Sequence, residues 1–336
     1  AHASYHWVEV TTRQYLSNKS LKLEIFTIGI VSFFIGAFGV SVKFVEFNNR
    51  LPHAVNVAAA EANNFFKKRD ECFRSLDVGT NPPGCVVGGE QPAVILIGDS
   101  HSYSVVTGLA NSLKNKGDGV KYWGLSSCPT IKGVFFTKLF LTQEERCNDF
   151  NDWVFNQVEE LPEKYPLVIV NRTSWYLWGN EFDTSGKKIP MIKFSNGHGS
   201  AAPSNFSSEF NEQYVKTICD YTNKRKVFLV RPIPEMPSNV PNNLSRSIMF
   251  GSNGDDIKIT LVEYHKRNID AWNAQDMAAK KCGAKILNPL PYLCDNEYCY
   301  GARNNRPIYF DNNHLSEYGN KLLIPMFEEI FNITND

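Results

Sequence analysis

The stretch "AVILIGDSHSYS", Ala93 to Ser104, decides how this chain is read. Five apolar residues, Ala93 to Ile97, run without a polar interruption and stop at Gly98-Asp99-Ser100-His101. A continuous apolar run reads as a strand buried on both faces, because a strand with one wet face would alternate. The segment Ser102 to Lys114 reads as a helix, which sets the Ser100 hydroxyl at the strand's exit, at or near a helix N-terminus.

Working outward, Val120–Leu125, Leu167–Val170, Val227–Val230 and Ala284–Leu287 are further short apolar runs, most of them rich in β-branched residues. Helical or polar stretches, such as Glu144–Glu160 and Ile257–Lys281, separate them. The alternation predicts a mostly parallel sheet covered on both faces, hence a three-layer α/β domain over residues 91–336. Ligands of such a sheet sit beyond the carboxyl ends of its strands, where Ser100 falls. Ile192–Asn211 and Pro237–Asp256 are rich in Ser, Asn and Gly and read as long loops at the rim of the sheet, a usual place for binding.

A serine hydroxyl is a poor nucleophile until a base takes its proton. Near the other end "IYFDNNHLSEYG", Ile308 to Gly319, places Asp311 three residues before His314, on the loop that enters a final helix. We therefore read Ser100 as nucleophile, His314 as base, and Asp311 as the group that orients the imidazole and stabilises its charged form. The backbone N–H of Ser100, at the positive end of a helix, is a donor for a developing oxyanion. His101 is set aside as base because a side chain adjacent to the nucleophile usually points away. His53, His198 and His265 have no partners at metal-ligand spacing, so no metal site is expected, and Asp255-Asp256 reads as a helix cap.

The totals bound what else the chain does. At 336 residues, 43% hydrophobic, it has material for a sizeable core. With 35 basic against 35 acidic side chains no whole-molecule field draws in polyanions, which argues against nucleic acid. Eight cysteines (Cys72, Cys85, Cys128, Cys147, Cys219, Cys282, Cys294, Cys299) lack CxxC spacing. Taken in order they fall into neighbouring pairs, and four such cross-links suit an oxidising compartment.

Ile25 to Val42 carries no charge and is closed by Lys43. About 18 residues lie near the lower end of what spans a bilayer, and the Gly, Ala and Ser content suits packing against other transmembrane helices. Arg13, Lys19 and Lys22 before it give a modest bias toward a cytoplasmic N-terminus, and all eight cysteines follow it. The expected layout is a transmembrane helix over 23–43, a linker or extension over 44–90, and the α/β domain in an oxidising space, the periplasm if the cell is a Gram-negative bacterium.

With "GDSH" and "DNNHLSEYG" on the page, the domain resembles the SGNH/GDSL hydrolase superfamily, whose fold is flavodoxin-like. More narrowly, "GDSH", "SSCP" at Ser126–Pro129 and "RPIPEMP" at Arg231–Pro237 resemble the SGNH domain fused to the C-terminus of bacterial acyltransferase-3 membrane proteins. "YHWVEVTTR", Tyr5 to Arg13, is similar to the closing residues of the acyltransferase-3 domain, so residues 1–22 are expected to be its tail, with Thr11 where the family often has Pro. The resemblance implies O-acetylation of a surface polysaccharide such as the O-antigen of lipopolysaccharide. The acyltransferase-3 domain of the same polypeptide would deliver acetyl from cytoplasmic acetyl-CoA, and no cofactor would bind here. Ser100 would carry the acetyl group, with carbohydrate O-acetyl esterase as the alternative chemistry of the same triad. A non-catalytic carbohydrate-binding module is disfavoured because all three triad residues are present.

The resemblance also implies oxyanion donors from a second-block glycine and a third-block asparagine, for which Gly124 in "YWGLSS" and Asn171 in "VIVNRTSWY" are the candidates. Gly124 also reads as a plain strand end and Asn171 as a cap. Arg172 beside it is a candidate contact to sugar or donor. Trp175 is a candidate sugar-stacking residue, against core packing as the other reading.

Overall fold

The structure, a computed structural model, describes residues 5–16, 20–44, 51–74, 84–136, 146–179, 190–194, 203–251 and 257–333. It forms two compact units, residues 1–51 and 52–336.

The first unit is helical, and its main element is α1, Leu21–Phe44. Leu21–Val42 is the one helix among the described residues long and apolar enough to cross a membrane, and none of it is buried. Its 22 residues rise about 33 Å, against about 30 Å of bilayer hydrocarbon. Two of its hydroxyls turn back onto the helix: Thr27 Oγ1 donates to the Leu23 carbonyl and Ser41 Oγ to that of Ala37, both at 2.8 Å.

The second unit is built on a seven-stranded sheet of β1 (Phe73–Arg74), β2 (Cys85–Gly88), β3 (Gln91–Gly98), β4 (Asp118–Leu125), β5 (Leu167–Val170), β6 (Val227–Val230) and β7 (Lys285–Leu287). The order is β1-β4-β3-β5-β6-β7, all parallel, and β2 adds antiparallel to β4 on the side that also carries β1. Around it lie α2 (His53–Ala60), α3 (Val106–Asn111), α4 (Arg146–Glu159), α5 (Thr173–Trp178), α6 (Pro203–Thr222), α7 (Val240–Met249), α8 (Leu261–Cys282) and α9 (Ile324–Ile333).

Because strand side chains alternate, β3 feeds two cores. Val94 and Leu96 pack with Leu109 of α3, Leu244 of α7 and Phe327 of α9. Ile95 and Ile97 pack with Val154 of α4, Ile218 of α6 and Ala274 of α8. Both faces are dry, which is why the strands carry uninterrupted apolar runs. Disulfides join Cys72–Cys85, Cys128–Cys147, Cys219–Cys282 and Cys294–Cys299, all within this unit.

Three expectations are corrected. The stretch 44–90, expected as a linker, belongs from Pro52 onward to the compact unit: Val55 and Ala58 of α2 are buried, the buried Glu61 carboxylate pairs with Arg306, and β1 and β2 extend the sheet. The helix expected over Ser102–Lys114 is two pieces, Ser100–Tyr103 and α3, because Ser104 Oγ turns back to the His101 carbonyl at 2.8 Å. More than half of Ile192–Asn211 and half of Pro237–Asp256 are regular strand or helix. Phe206 and Phe210 give α6 its buried face, and the Asn239 side chain caps α7 by accepting from the Asn242 amide. Asp255-Asp256 and His198 lie outside the described residues.

Candidate active site

The site forms at the carboxyl edge of the sheet, where β3 gives way to the helical turn Ser100–Tyr103. A side chain at Gly98 would put its Cβ 1.9 Å from the Val170 carbonyl oxygen of β5, and φ is +154°. Only glycine lets the two strands approach there and the chain turn.

Asp99 holds this turn. It is fully buried, and its Oδ1 accepts from the His101 amide at 2.8 Å, which caps the turn. Its Oδ2 accepts from the Arg172 amide and the Tyr176 hydroxyl, both at 2.7 Å. Burial raises the Asp99 pKa above the ordinary carboxylate value, and these hydrogen bonds oppose the rise. Asp99 thus ties the nucleophile's turn to the segment leaving β5.

The partner loop closes on itself. The Phe310 amide donates to the His314 carbonyl and the Ser316 amide to that of Ile308, both at 3.0 Å. Asp311 Oδ1 accepts from the amides of Asn313 and His314 at 2.8 Å, while Oδ2 accepts from His314 Nδ1 at 2.7 Å. With that nitrogen donating, Nε2 is the bare acceptor, and it lies 2.8 Å from Ser100 Oγ. The structure therefore brings Ser100, His314 and Asp311 into one hydrogen-bonded line across 214 residues of sequence. Burial works against the Asp311 charge, but the imidazole and the two amides outweigh it and pull the pKa down to about 2.

Sequence reasoning missed what surrounds the line. The His314 ring stacks on Phe310 with centroids 5.2 Å apart and on Tyr103 at 5.7 Å. Phe65 packs on Phe310 at 5.6 Å, and Arg69 covers both Phe65 and Tyr103, so the segment before β1 buttresses the base. His101 does not meet Ser100. It is buried, its ring edge meets His314 at 5.0 Å, and its Nε2 lies 3.1 Å from Asn313 Oδ1. Since Asn313 Nδ2 donates to Asn312, its Oδ1 must accept, so His101 carries its proton on Nε2 and leaves Nδ1 bare and unpartnered. Burial, with His314 and Arg172 nearby, lowers the His101 pKa to about 3.

The remaining candidates are placed as follows. Gly124 lies inside β4, in register with Gly98 and Phe73, and a Cβ there would meet the Tyr122 hydroxyl at 2.3 Å and Phe73 at 2.7 Å. Packing explains this glycine. Asn171 reaches the site, but its Oδ1 accepts from the Asp99 amide at 3.2 Å and its Nδ2 donates to Thr130 Oγ1 at 3.1 Å. The amide supports the nucleophile's turn, and because Nδ2 carries two protons and Thr130 takes one, the second is left to donate to an oxyanion. The Arg172 side chain pairs with Glu235, which is buried in "RPIPEMP" and has Arg267 at 4.0 Å. Burial disfavours the Glu235 charge, yet the arginines hold its pKa below the ordinary value. Trp175 is half-buried, edge-on to Tyr176 at 5.2 Å. A glutamate between prolines in an apolar run was the available signal for Glu235.

A family model and one solved structure agree with this fold. A family model described as the SGNH domain, fused to AT3 domains, matches residues 70–329. Among solved structures, the chain is similar to the periplasmic domain of a lipopolysaccharide acetyltransferase from Salmonella ser. Paratyphi A. Identity is 15%, TM-score 0.52, and the alignment covers 85% of this chain and 98% of that one. It also aligns with the C-terminal catalytic domain of Streptococcus pneumoniae peptidoglycan O-acetyltransferase A at 13% identity and TM-score 0.33, covering 75% and 97%. An acetylxylan esterase from Geobacillus stearothermophilus aligns at 13% identity and TM-score 0.38, covering 72% and 94%. No curated protein matches.

Proposed function

The chain belongs to the SGNH family, in the group described as fused to AT3 domains, and from that premise we propose that it transfers acetyl groups to hydroxyls of a bacterial surface polysaccharide. The observation that carries the reading is the line Ser100–His314–Asp311, at 2.8 and 2.7 Å, on the carboxyl edge of the sheet. Ser100 Oγ attacks the acetyl carbonyl while His314 Nε2 takes its proton, and Asp311 stabilises the imidazolium. The Ser100 backbone N–H meets the oxyanion. His314 returns the proton to the leaving group, giving acetyl-Ser100. A sugar hydroxyl then enters, gives its proton to His314 and accepts the acetyl group.

An acyltransferase-3 domain preceding this chain would supply the acetyl group from acetyl-CoA, and residues 1–22 would be its tail. The unburied apolar helix α1 supports an inner-membrane tether, and four disulfides support a periplasmic domain. Gly124 keeps only a structural part in this reading. Asn171 and Arg172 hold the turn that bears Ser100, and the second Nδ2 proton of Asn171 is a further donor for the oxyanion.

The test is trapping of the intermediate. The full chain is exposed to p-nitrophenyl acetate, quenched in acid and digested, and the Ser100 peptide is examined by mass spectrometry. The reading expects acetyl on Ser100, and more of it in a chain whose slow second step is starved of acceptor. A chain that turns over the ester with Ser100 never modified refutes it.

A further inference from the structure

The segment Pro237–Phe250 is left unused by the mechanism, although it sits against the catalytic loop. The Met236 amide donates to the Asn312 carbonyl at 2.7 Å and the Val240 amide to the Asp311 carbonyl at 3.0 Å. Pro237 and Ser238 lie between these two bonds, so they are fastened to the backbone that bears the triad's aspartate. They also form one wall of a cleft of about 410 Å³, whose other lining includes Asn243, Arg246, Ser247 and Phe250. That size falls in the range of ligand clefts, roughly 300–1,000 Å³.

The lining has the chemistry of carbohydrate recognition. Phe250 ends α7 and is 74% exposed, a large aromatic face that makes no ring contact among the described residues. Asn243 Nδ2 donates to Ser238 Oγ, which fixes the amide, and its Oδ1 has no protein partner among the described residues. Arg246 is exposed one turn before Phe250 and makes no ion pair among the described residues. An aromatic face beside a fixed amide, a hydroxyl and a free guanidinium matches a pyranose, which offers an apolar C–H face and a rim of hydroxyls.

We propose that this cleft is an acceptor subsite: it holds a sugar unit of the acceptor polysaccharide on Phe250, with Asn243 and Arg246 on its hydroxyls, while a neighbouring unit reaches acetyl-Ser100. The proposal rests on the acetyl-transfer reading above for the identity of the ligand. Its group transfer adds no new chemistry, since the subsite only lowers the cost of bringing the acceptor in. The two hydrogen bonds from Met236 and Val240 fix the cleft's wall relative to Asp311, so a bound sugar is positioned relative to the triad rather than merely retained.

The test uses the full chain with polysaccharide released by mild acid from cells deleted for the gene. Two readouts are taken for Phe250→Ala, Arg246→Ala and the unchanged chain: the burst of Ser100 acetylation from p-nitrophenyl acetate, and transfer to the polysaccharide. A third is polysaccharide binding to the same substitutions made on Ser100→Ala. The expectation is a normal burst and about a tenfold rise in acceptor KM for Phe250→Ala, the worth of one aromatic contact, with binding weakened to match. Unchanged transfer and binding overturn the subsite, and so does a burst lost in parallel with transfer, which would place these residues in support of the triad. Absence of acetyl-Ser100 in the unchanged chain, or hydrolysis with no transfer, refutes the acetyl-transfer reading instead; the binding assay then still decides the cleft.

Discussion

Replacing Asp311 by Asn leaves the shape of the loop intact and removes one property. The new Oδ1 still accepts from the Asn313 and His314 amides, which lie 2.8 Å from it in the native chain. The atom facing His314 Nδ1 becomes an N–H, so the imidazole must move its proton to Nε2, where it confronts the Ser100 hydroxyl. The site's preference for a charged Asp311 is a pKa of about 2 against 3.8. That difference corresponds to about 2.4 kcal/mol, or roughly a 60-fold loss of imidazolium stabilisation. The wrong tautomer adds to this, and the whole loss expected is about 10³ to 10⁴ in kcat. The assay is release of p-nitrophenol from p-nitrophenyl acetate at pH 7, with thermal melting recorded alongside. Because the folded pKa lies below the unfolded one, the charge's stabilisation is complete above about pH 4 and fades as pH falls toward 2. Native and variant melting temperatures should therefore converge at the acid end. Activity within tenfold of native in a folded variant refutes the assignment of Asp311.

Three further outcomes follow from particular contacts. His101 has a folded pKa of about 3 against 6.5, so the unfolded chain binds an extra proton between these values and stability falls as pH drops through that window; by pH 5 the loss is about 2 kcal/mol, and denaturant titrations at pH 7 and 5 should show it flattened in His101→Phe. Gly98→Ala forces a methyl to 1.9 Å from the Val170 carbonyl oxygen, so it should cost more than about 3 kcal/mol and leave little soluble protein on expression. Loop entropy makes the Cys219–Cys282 bond, which spans 63 residues, worth about 4 kcal/mol and the Cys294–Cys299 bond, which spans 5, about 2; double Cys→Ser variants compared by denaturant titration should keep that order.

The sheet was legible because its central strands are dry on both sides: β5 and β6 coincide with their apolar runs, β3 and β4 differ only at the ends, and the edge strand β7, which starts at the exposed Lys285, differs by one residue. The pairing of Ser100 with Asp311 and His314 was legible as two short motifs at the ends of one domain. Composition misled in Pro237–Asp256, where Asn and Ser signalled loop although Asn239 is a cap and Pro241 sits in the first turn of α7. Tertiary contacts were the hidden part. Nothing local says that His101 bonds Asn313, that Glu235 pairs with Arg172, or that Asn171 spends its amide on Asp99 and Thr130. Each joins segments between 41 and 212 residues apart. The same holds for residues 52–74, whose alanine-rich helix gave no sign that Phe65 and Arg69 would cover the rings beside His314.

The most direct measurement is the O-acetyl content of the surface polysaccharide, read by NMR in cells expressing the native chain or Ser100→Ala at equal levels. Acetyl transfer through Ser100 predicts that the acetyl signals disappear in the variant. Signals that persist unchanged, or that grow as they would on losing an esterase, contradict it.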